Sequence, residues 1–204
     1  MVKIKKYFVL FSTFLSGFII MGFEIFGSRI LRPHFGDGTK VWGALISVFL
    51  GGLAAGYQFG GKFADKNSGL KGLSVLMFSS GAIMLAFPLY GHFLCKLISL
   101  INAGPGIQTM IAALCLFFIP SVLIGMMTPF FLKLNISGME SVGQGGGGIF
   151  ALSTFGSIVG TLISSFILVL YIPSHFAVSL FGIILILNGI ICLIIKKYSI
   201  PDTY

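Results

Sequence analysis

The 204 residues are 56% hydrophobic and only 9% charged, and the mean hydropathy is +1.06. A soluble domain of this length has no interior large enough to hide so much apolar surface, so composition excludes a soluble fold and indicates a polytopic α-helical membrane protein, one transmembrane domain over 1–204. The net charge of +8 sits in lysines and arginines at the ends of apolar runs, which points to membrane orientation and anionic lipid headgroups and excludes nucleic acid as a partner.

Helix one is expected from about Tyr7 to Leu31, behind Lys3, Lys5 and Lys6. Its apolar run exceeds a signal-peptide core and has no small-residue cleavage site, so no cleaved leader is expected. The stretch from Ser16 to Gly36 holds Glu24, the one acidic residue inside any apolar segment, and Arg29. A charge at the bilayer centre costs roughly 2.5–3.5 kcal/mol on insertion scales, so it calls for a partner, a wet cavity or an interfacial position. Arg29 is the candidate partner. Five residues rotate a helix by about 140°, however, so such a pair forms between helices, or Glu24 meets Ser28 one turn on. Two readings stay open. In one, Glu24 is protonated or hydrogen-bonded in the bundle while Arg29 snorkels outward. In the other, Glu24 binds a cation or carries a proton in a cavity open to the outer side.

After the loop RPHFGDGTK, helix two covers about Val41 to Gly60, with Gly43, Gly51, Gly52 and Gly56. Small residues at such spacing let helix backbones approach closely. The polar loop GGKFADKNSGLKG follows. Helix three spans about Leu73 to Leu94, with Pro88 as an expected kink, and LISLINAGPG makes a short turn. Helix four runs from about Ile107 to Leu132, with helix breaks expected at Pro120, Gly125 and Pro129. The glycine-rich KLNISGMESVGQGGGG is expected to be a mobile linker. It follows no strand, so Gly145 to Gly148 do not read as an anion-cradling loop. Helix five covers about Ile149 to Tyr171. Its Ala151, Ser153, Thr154, Gly156, Ser157, Gly160 and Thr161 form an interior packing face. Helix six covers about Phe176 to Ile195 and carries Asn188, its one strongly polar side chain.

Charge counting orients the six spans. One side holds Lys3, Lys5, Lys6, Lys62, Lys66, Lys71, Lys133, Lys196 and Lys197. The other holds Arg29, Arg32, Lys40 and Lys96. Both termini are therefore expected in the cytoplasm of a cell bounded by this membrane. Cys95, Cys115 and Cys192 are isolated, with neither disulfide nor metal spacing. His34, His92 and His175 fall near the outer boundary with Asp37. Their spacing shows no ligand motif, and interfacial packing is the expected role. Trp42 and Tyr90 read as interface anchors.

Two stretches carry a resemblance. Gly61-Lys62-Phe63-Ala64-Asp65-Lys66, followed by Gly69 and Lys71, resembles the loop between helices two and three of major facilitator transporters, and makes Gly61, Asp65 and Lys66 a structural loop motif. Asp65 there is expected to cap a helix N-terminus and pair with a basic group. More widely, SGFIIMGFEIFGSRIL, VWGALISVFLGGLAAGYQFGGKFAD, FFIPSVLIGMMTP and GGIFALSTFGSIVGTLISSFIL resemble the membrane domain of the fused MFS/spermidine synthase family. The resemblance covers Ser16 to about Leu170. It implies an all-α bundle like half of a major facilitator transporter, and carries over to Glu24, Arg29, Gly52, Gly56, Asp65, Pro120, Gly125, Pro129, Thr154, Gly156 and Gly160. The synthase-like domain of that family is not expected here, so aminopropyl transfer by the chain alone is not implied.

The resulting expectation is a membrane component that binds or passes a small cationic or amine-bearing molecule, or anchors a separate soluble enzyme. Glu24, Arg29 and Asn188 are the candidate substrate or proton residues. No cofactor is expected. The lipid bilayer and a second copy or partner subunit are the expected partners, because half-bundles place their substrate path between repeats. The alternatives are a small proton-coupled transporter and a structural subunit of a larger complex.

Overall fold

The computed structural model describes residues 2–67, 69–135 and 142–198, and every element among them is helical. Helix α1 is Val2–Phe35, α2 is Thr39–Lys66, α3 is Leu70–Leu85 and α4 is Phe87–Ser99. Helix α5 is Pro105–Asn135, α6 is Gly143–Tyr171 and α7 is Ser174–Tyr198. Five of these, α1, α2, α5, α6 and α7, are long and apolar enough to cross a membrane. The pair α3 and α4, bent by 59°, makes a sixth crossing if it counts as one. With no water in hydrocarbon to bond the backbone, helices that satisfy their own peptide groups are the natural product of such a sequence.

The helices run longer than expected at most of their ends. The first reaches Phe35 and closes on Gly36, whose φ of 84° lets its N–H reach back to the Arg32 carbonyl. The stretch GGKFADK is the last two turns of α2 rather than a loop, so Gly61, Asp65 and Lys66 are helical. The Lys133 ammonium donates to the Ala64 carbonyl at 2.9 Å and to Asp65 at 3.2 Å, which satisfies acceptors that a helix end leaves open. Asp65 thus pairs with a basic group. The α3 N-terminus has no side-chain cap. LISL belongs partly to α4, which continues to Ser99.

Pro120 and Pro129 do not interrupt α5. Residues Leu114–Phe118, just before Pro120, are wound as a π-helix. The wider turn makes room for the ring and for the carbonyl that proline leaves without a donor. Pro129 and Gly125 lie inside continuous α-helix. The glycine run 143–148 is also helical rather than a loop, anchored by the buried Ile149. Glycine costs roughly 1 kcal/mol per residue in a helix, and the internal hydrogen bonds that an apolar setting demands outweigh it. Residues 136–141 of that linker, and 199–204, lie outside the described residues.

The expected kink near Pro88 is a true break, centred on Ala86. Two hydroxyls re-satisfy the carbonyls it opens. Tyr90 Oη donates to the Ile83 carbonyl at 3.3 Å, and Ser179 of α7 donates to the Leu85 carbonyl at 3.2 Å. Tyr90 therefore pins the bend rather than only marking an interface. Tyr90→Phe and Ser179→Ala are each expected to lower stability by about 0.5–1.5 kcal/mol, read by denaturant unfolding in mixed micelles.

Packing follows three seams. Helix α1 packs chiefly on α6, α2 on α5, and α3 on α7. Glycine permits each close approach. A Cβ at Gly156 or Gly160 would fall on the Phe14 or Phe18 backbone of α1, and one at Gly17 on Ser153 of α6. Gly52, Gly56 and Gly60 of α2 meet Ser121, Val122, Gly125 and Met126 of α5, and Gly81 meets Gly182 between α3 and α7. Phe23, Phe49, Phe87 and Phe117, from α1, α2, α4 and α5, form a ring cluster with centroids 5.2–6.0 Å apart. Such aromatic pairs add about 0.5–1.5 kcal/mol each beyond burial.

Candidate functional site

Glu24 follows Phe23 of this cluster, on the next position of α1. It is only 9% exposed, and among the described residues it has neither an ion pair nor a hydrogen-bonded partner. A carboxylate in that state carries a desolvation cost that a ligand, a proton or water must offset.

Arg29 is not its partner. Arg29 Nη1 donates to the Val169 carbonyl at 2.6 Å, closing the C-terminal end of α6. Ser28 is engaged as well, its hydroxyl donating to the Ile25 carbonyl at 2.8 Å. The ion pairs among the described residues are Arg32 with Asp37 and Lys133 with Asp65, both at 3.2 Å and both exposed. Such pairs contribute at most about 1 kcal/mol.

Asn188 also serves packing. Its Oδ1 accepts from Ser12 Oγ at 2.8 Å, with both side chains buried between α1 and α7. Asn188→Leu is expected to cost about 0.6–1.7 kcal/mol, the range of interhelical side-chain hydrogen bonds in membranes, measured by the same unfolding titration.

The three candidates therefore do not converge on one site. What does converge is a set of hydroxyls. A cavity of about 130 Å³ opens where α1, α2, α5 and α6 meet, and Ser16, Tyr57, Thr128, Ser153, Thr154 and Ser157 line it. Ser157 Oγ donates to the carbonyls of Gly17 at 3.2 Å and Ser153 at 3.1 Å, and Ser16 Oγ to Thr13 at 2.9 Å. These hydroxyls thus present lone pairs more readily than protons. Ile20 and Met21 line the same cavity. Glu24 stands one turn further along that stripe of α1, roughly 5 Å of rise away. Glu24 is not among the lining residues, and the cavity lies toward the Lys133–Asp65 end of the bundle rather than on the outer side, where the sequence reading places a cavity for it.

The packing face expected of α6 is split. Gly156 and Gly160 pack on α1. Ser153, Thr154 and Ser157 line the cavity, and Thr154 is exposed. Tyr57 and Thr128, from α2 and α5, are the residues that sequence reasoning missed. A hydroxyl on a membrane helix reads as a packing group until its neighbours are known.

Cys95 and Cys192 are buried and Cys115 is exposed, and all three are free. Cys192 donates to the Leu70 carbonyl at 3.2 Å. Among the described residues no three His, Cys, Asp or Glu side chains lie close enough together to hold a metal ion. Comparison of the sequence with known protein families and with characterised proteins, and of the fold with solved structures, finds no match in any of the three.

Proposed function

We propose that this chain is a six-span membrane protein that binds or passes a small cationic or amine-bearing molecule through the hydroxyl-lined cavity between its first, second, fourth and fifth spans, with Glu24 as the counter-charge. The observation that carries the reading is Glu24, a residue only 9% exposed whose carboxylate has no protein partner, roughly one helical turn along α1 from a cavity lined by six hydroxyl-bearing residues.

The arrangement of the spans supports half of a major facilitator-like bundle. Counting α3 and α4 as span three, the seams join spans one and five, two and four, and three and six. Exchanging spans one to three with spans four to six maps this pairing onto itself, and it also maps the lesser contact of one with six onto that of four with three. Two three-span units with an odd number of crossings lie inverted to each other, which is the form of nested repeats in such transporters. A substrate path between repeats then calls for a second copy or a partner subunit on the open face. The lysine bias orients both termini inward, in the plasma or inner membrane. A structural role for Glu24 within a larger complex is the competing reading.

The test is equilibrium binding of a labelled polyamine to the purified chain in detergent and in nanodiscs. Saturable binding that a neutral amide competitor does not displace supports the proposal. Absence of binding, with the bundle folded by circular dichroism, removes it.

A further inference from the structure

We propose that the end of the bundle opposite Lys133 and Asp65 carries a second site, a pocket for a phosphate-type oxyanion held by Arg29, His34, His92 and His175. A cavity of about 250 Å³ opens there. Arg29 and His34 reach it from the last turns of α1, His92 from α4, and Ser174 and His175 from the first turn of α7. Ile30 and Pro33 complete the lining. The volume is ample for a hydrated anion.

Its chemistry is one-sided. No carboxylate lines it, and the nearest acid in sequence, Asp37, is held by Arg32 at 3.2 Å. A guanidinium, three imidazoles and a hydroxyl are gathered without a counter-ion. The rings of His34 and His92 are 5.1 Å apart. The His175 ring lies against Phe87, 6.4 Å between centroids and 30° from parallel, so packing holds it in place. Its Nδ1 is buried with no hydrogen-bond partner, a state that costs free energy until an acceptor or donor arrives.

Arg29 spends one N–H on the Val169 carbonyl, which fixes its fork and leaves its other donors for a ligand. The first turn of α7, a 25-residue helix, adds free N–H groups and the positive end of its dipole to these side chains. A metal ion fits poorly. Three imidazoles around a cavity this wide do not meet at bonds of about 2 Å, and the guanidinium repels a cation. The site is independent of the amine reading, since it shares neither Glu24 nor the hydroxyl cavity.

Two sources offer the same group, a lipid headgroup phosphate or a free phosphate, and the location at helix ends suits both. The experiment runs both arms. Inorganic phosphate is titrated into the purified chain in neutral detergent against chloride at equal ionic strength, with calorimetry and the thermal unfolding midpoint as readouts. In parallel, the midpoint is compared in phosphatidylcholine nanodiscs with and without phosphatidylglycerol.

The expected result is a saturable response in at least one arm, about tenfold weaker in His92→Ala and in His175→Phe, the loss of one charge-assisted contact. His92 is exposed, so its removal leaves the fold intact, and phenylalanine keeps the stack on Phe87. A phosphate response identifies a soluble anion, and a response confined to phosphatidylglycerol identifies the lipid. The proposal is overturned if neither arm responds, if both variants respond as the parent does, or if zinc binds tighter than phosphate through the same histidines.

Discussion

Gly156→Ala is expected to destabilise the bundle by about 3 kcal/mol or more, whereas Gly51→Ala is expected to stabilise it by up to about 1 kcal/mol. The two changes are chemically identical and both lie within membrane helices. At Gly156 the added methyl would fall on the Phe14 carbonyl oxygen, with the rest of that peptide unit close behind. Backbone cannot rotate away as a side chain can, so α1 and α6 must separate and lose contact along the seam. At Gly51 nothing lies within 4 Å of the new methyl. There alanine gains only by restricting the unfolded chain. Gly56→Ala tests the second seam, with a methyl 2.5 Å from the Val122 carbonyl oxygen and 2.9 Å from Gly125 Cα. Gly43, open like Gly51, supplies a second control. Unfolding midpoints in a dodecyl sulfate titration decide the matter. Equal effects at seam and control positions would show that the helices do not meet as described.

Glu24→Gln is expected to weaken amine binding by about ten- to a hundredfold while moving stability by less than about 1 kcal/mol. The substitution keeps shape and volume and removes only the negative charge, so a binding role and a packing role part company. If the carboxylate balances a bound cation, affinity falls and the unfolding midpoint holds. If it serves helix packing, a change that keeps shape and volume leaves both the midpoint and the affinity where they were. Glu24→Asp refines the result, since it keeps the charge but draws it back by one methylene and should recover part of the affinity. Full binding in the glutamine variant removes Glu24 from the site and with it the reason to place a cation in the cavity.

Much of the architecture was legible because apolar run length and small-residue spacing are local properties. Runs near twenty residues located five of the crossings, and the spacing of Gly52 with Gly56 and of Gly156 with Gly160 pointed to real seams. Helix ends were less legible, since distant groups settle them. The helical state of Gly61 to Lys66 goes with Lys133, nearly seventy residues on. Proline misled in α5, where the π-helical turn before Pro120 absorbs what the sequence marks as a break. It informed correctly at Pro88, where the opened carbonyls found hydroxyls. At the candidate site the carboxylate could be singled out by its cost alone. Its relation to Arg29 could not, because the guanidinium answers to the end of α6, which no spacing rule connects to residue 29.

The seam pattern bears on how the protein is made. No seam joins consecutive spans. Chains enter the bilayer from the N-terminus as translation proceeds. When α4 has left the ribosome, the glycine faces at Gly17, Gly52, Gly56 and Gly81 all still lack their mates. The seam of α2 with α5 is the first that synthesis permits, that of α1 with α6 the next, and that of α3 with α7 the last. A nascent chain stalled before α5 therefore shows every seam surface bare to lipid, and one complete through α6 hides two of the three. Exposure of the seam surfaces is thus set by elongation, and a pause ahead of α5 prolongs the state in which none of them is covered.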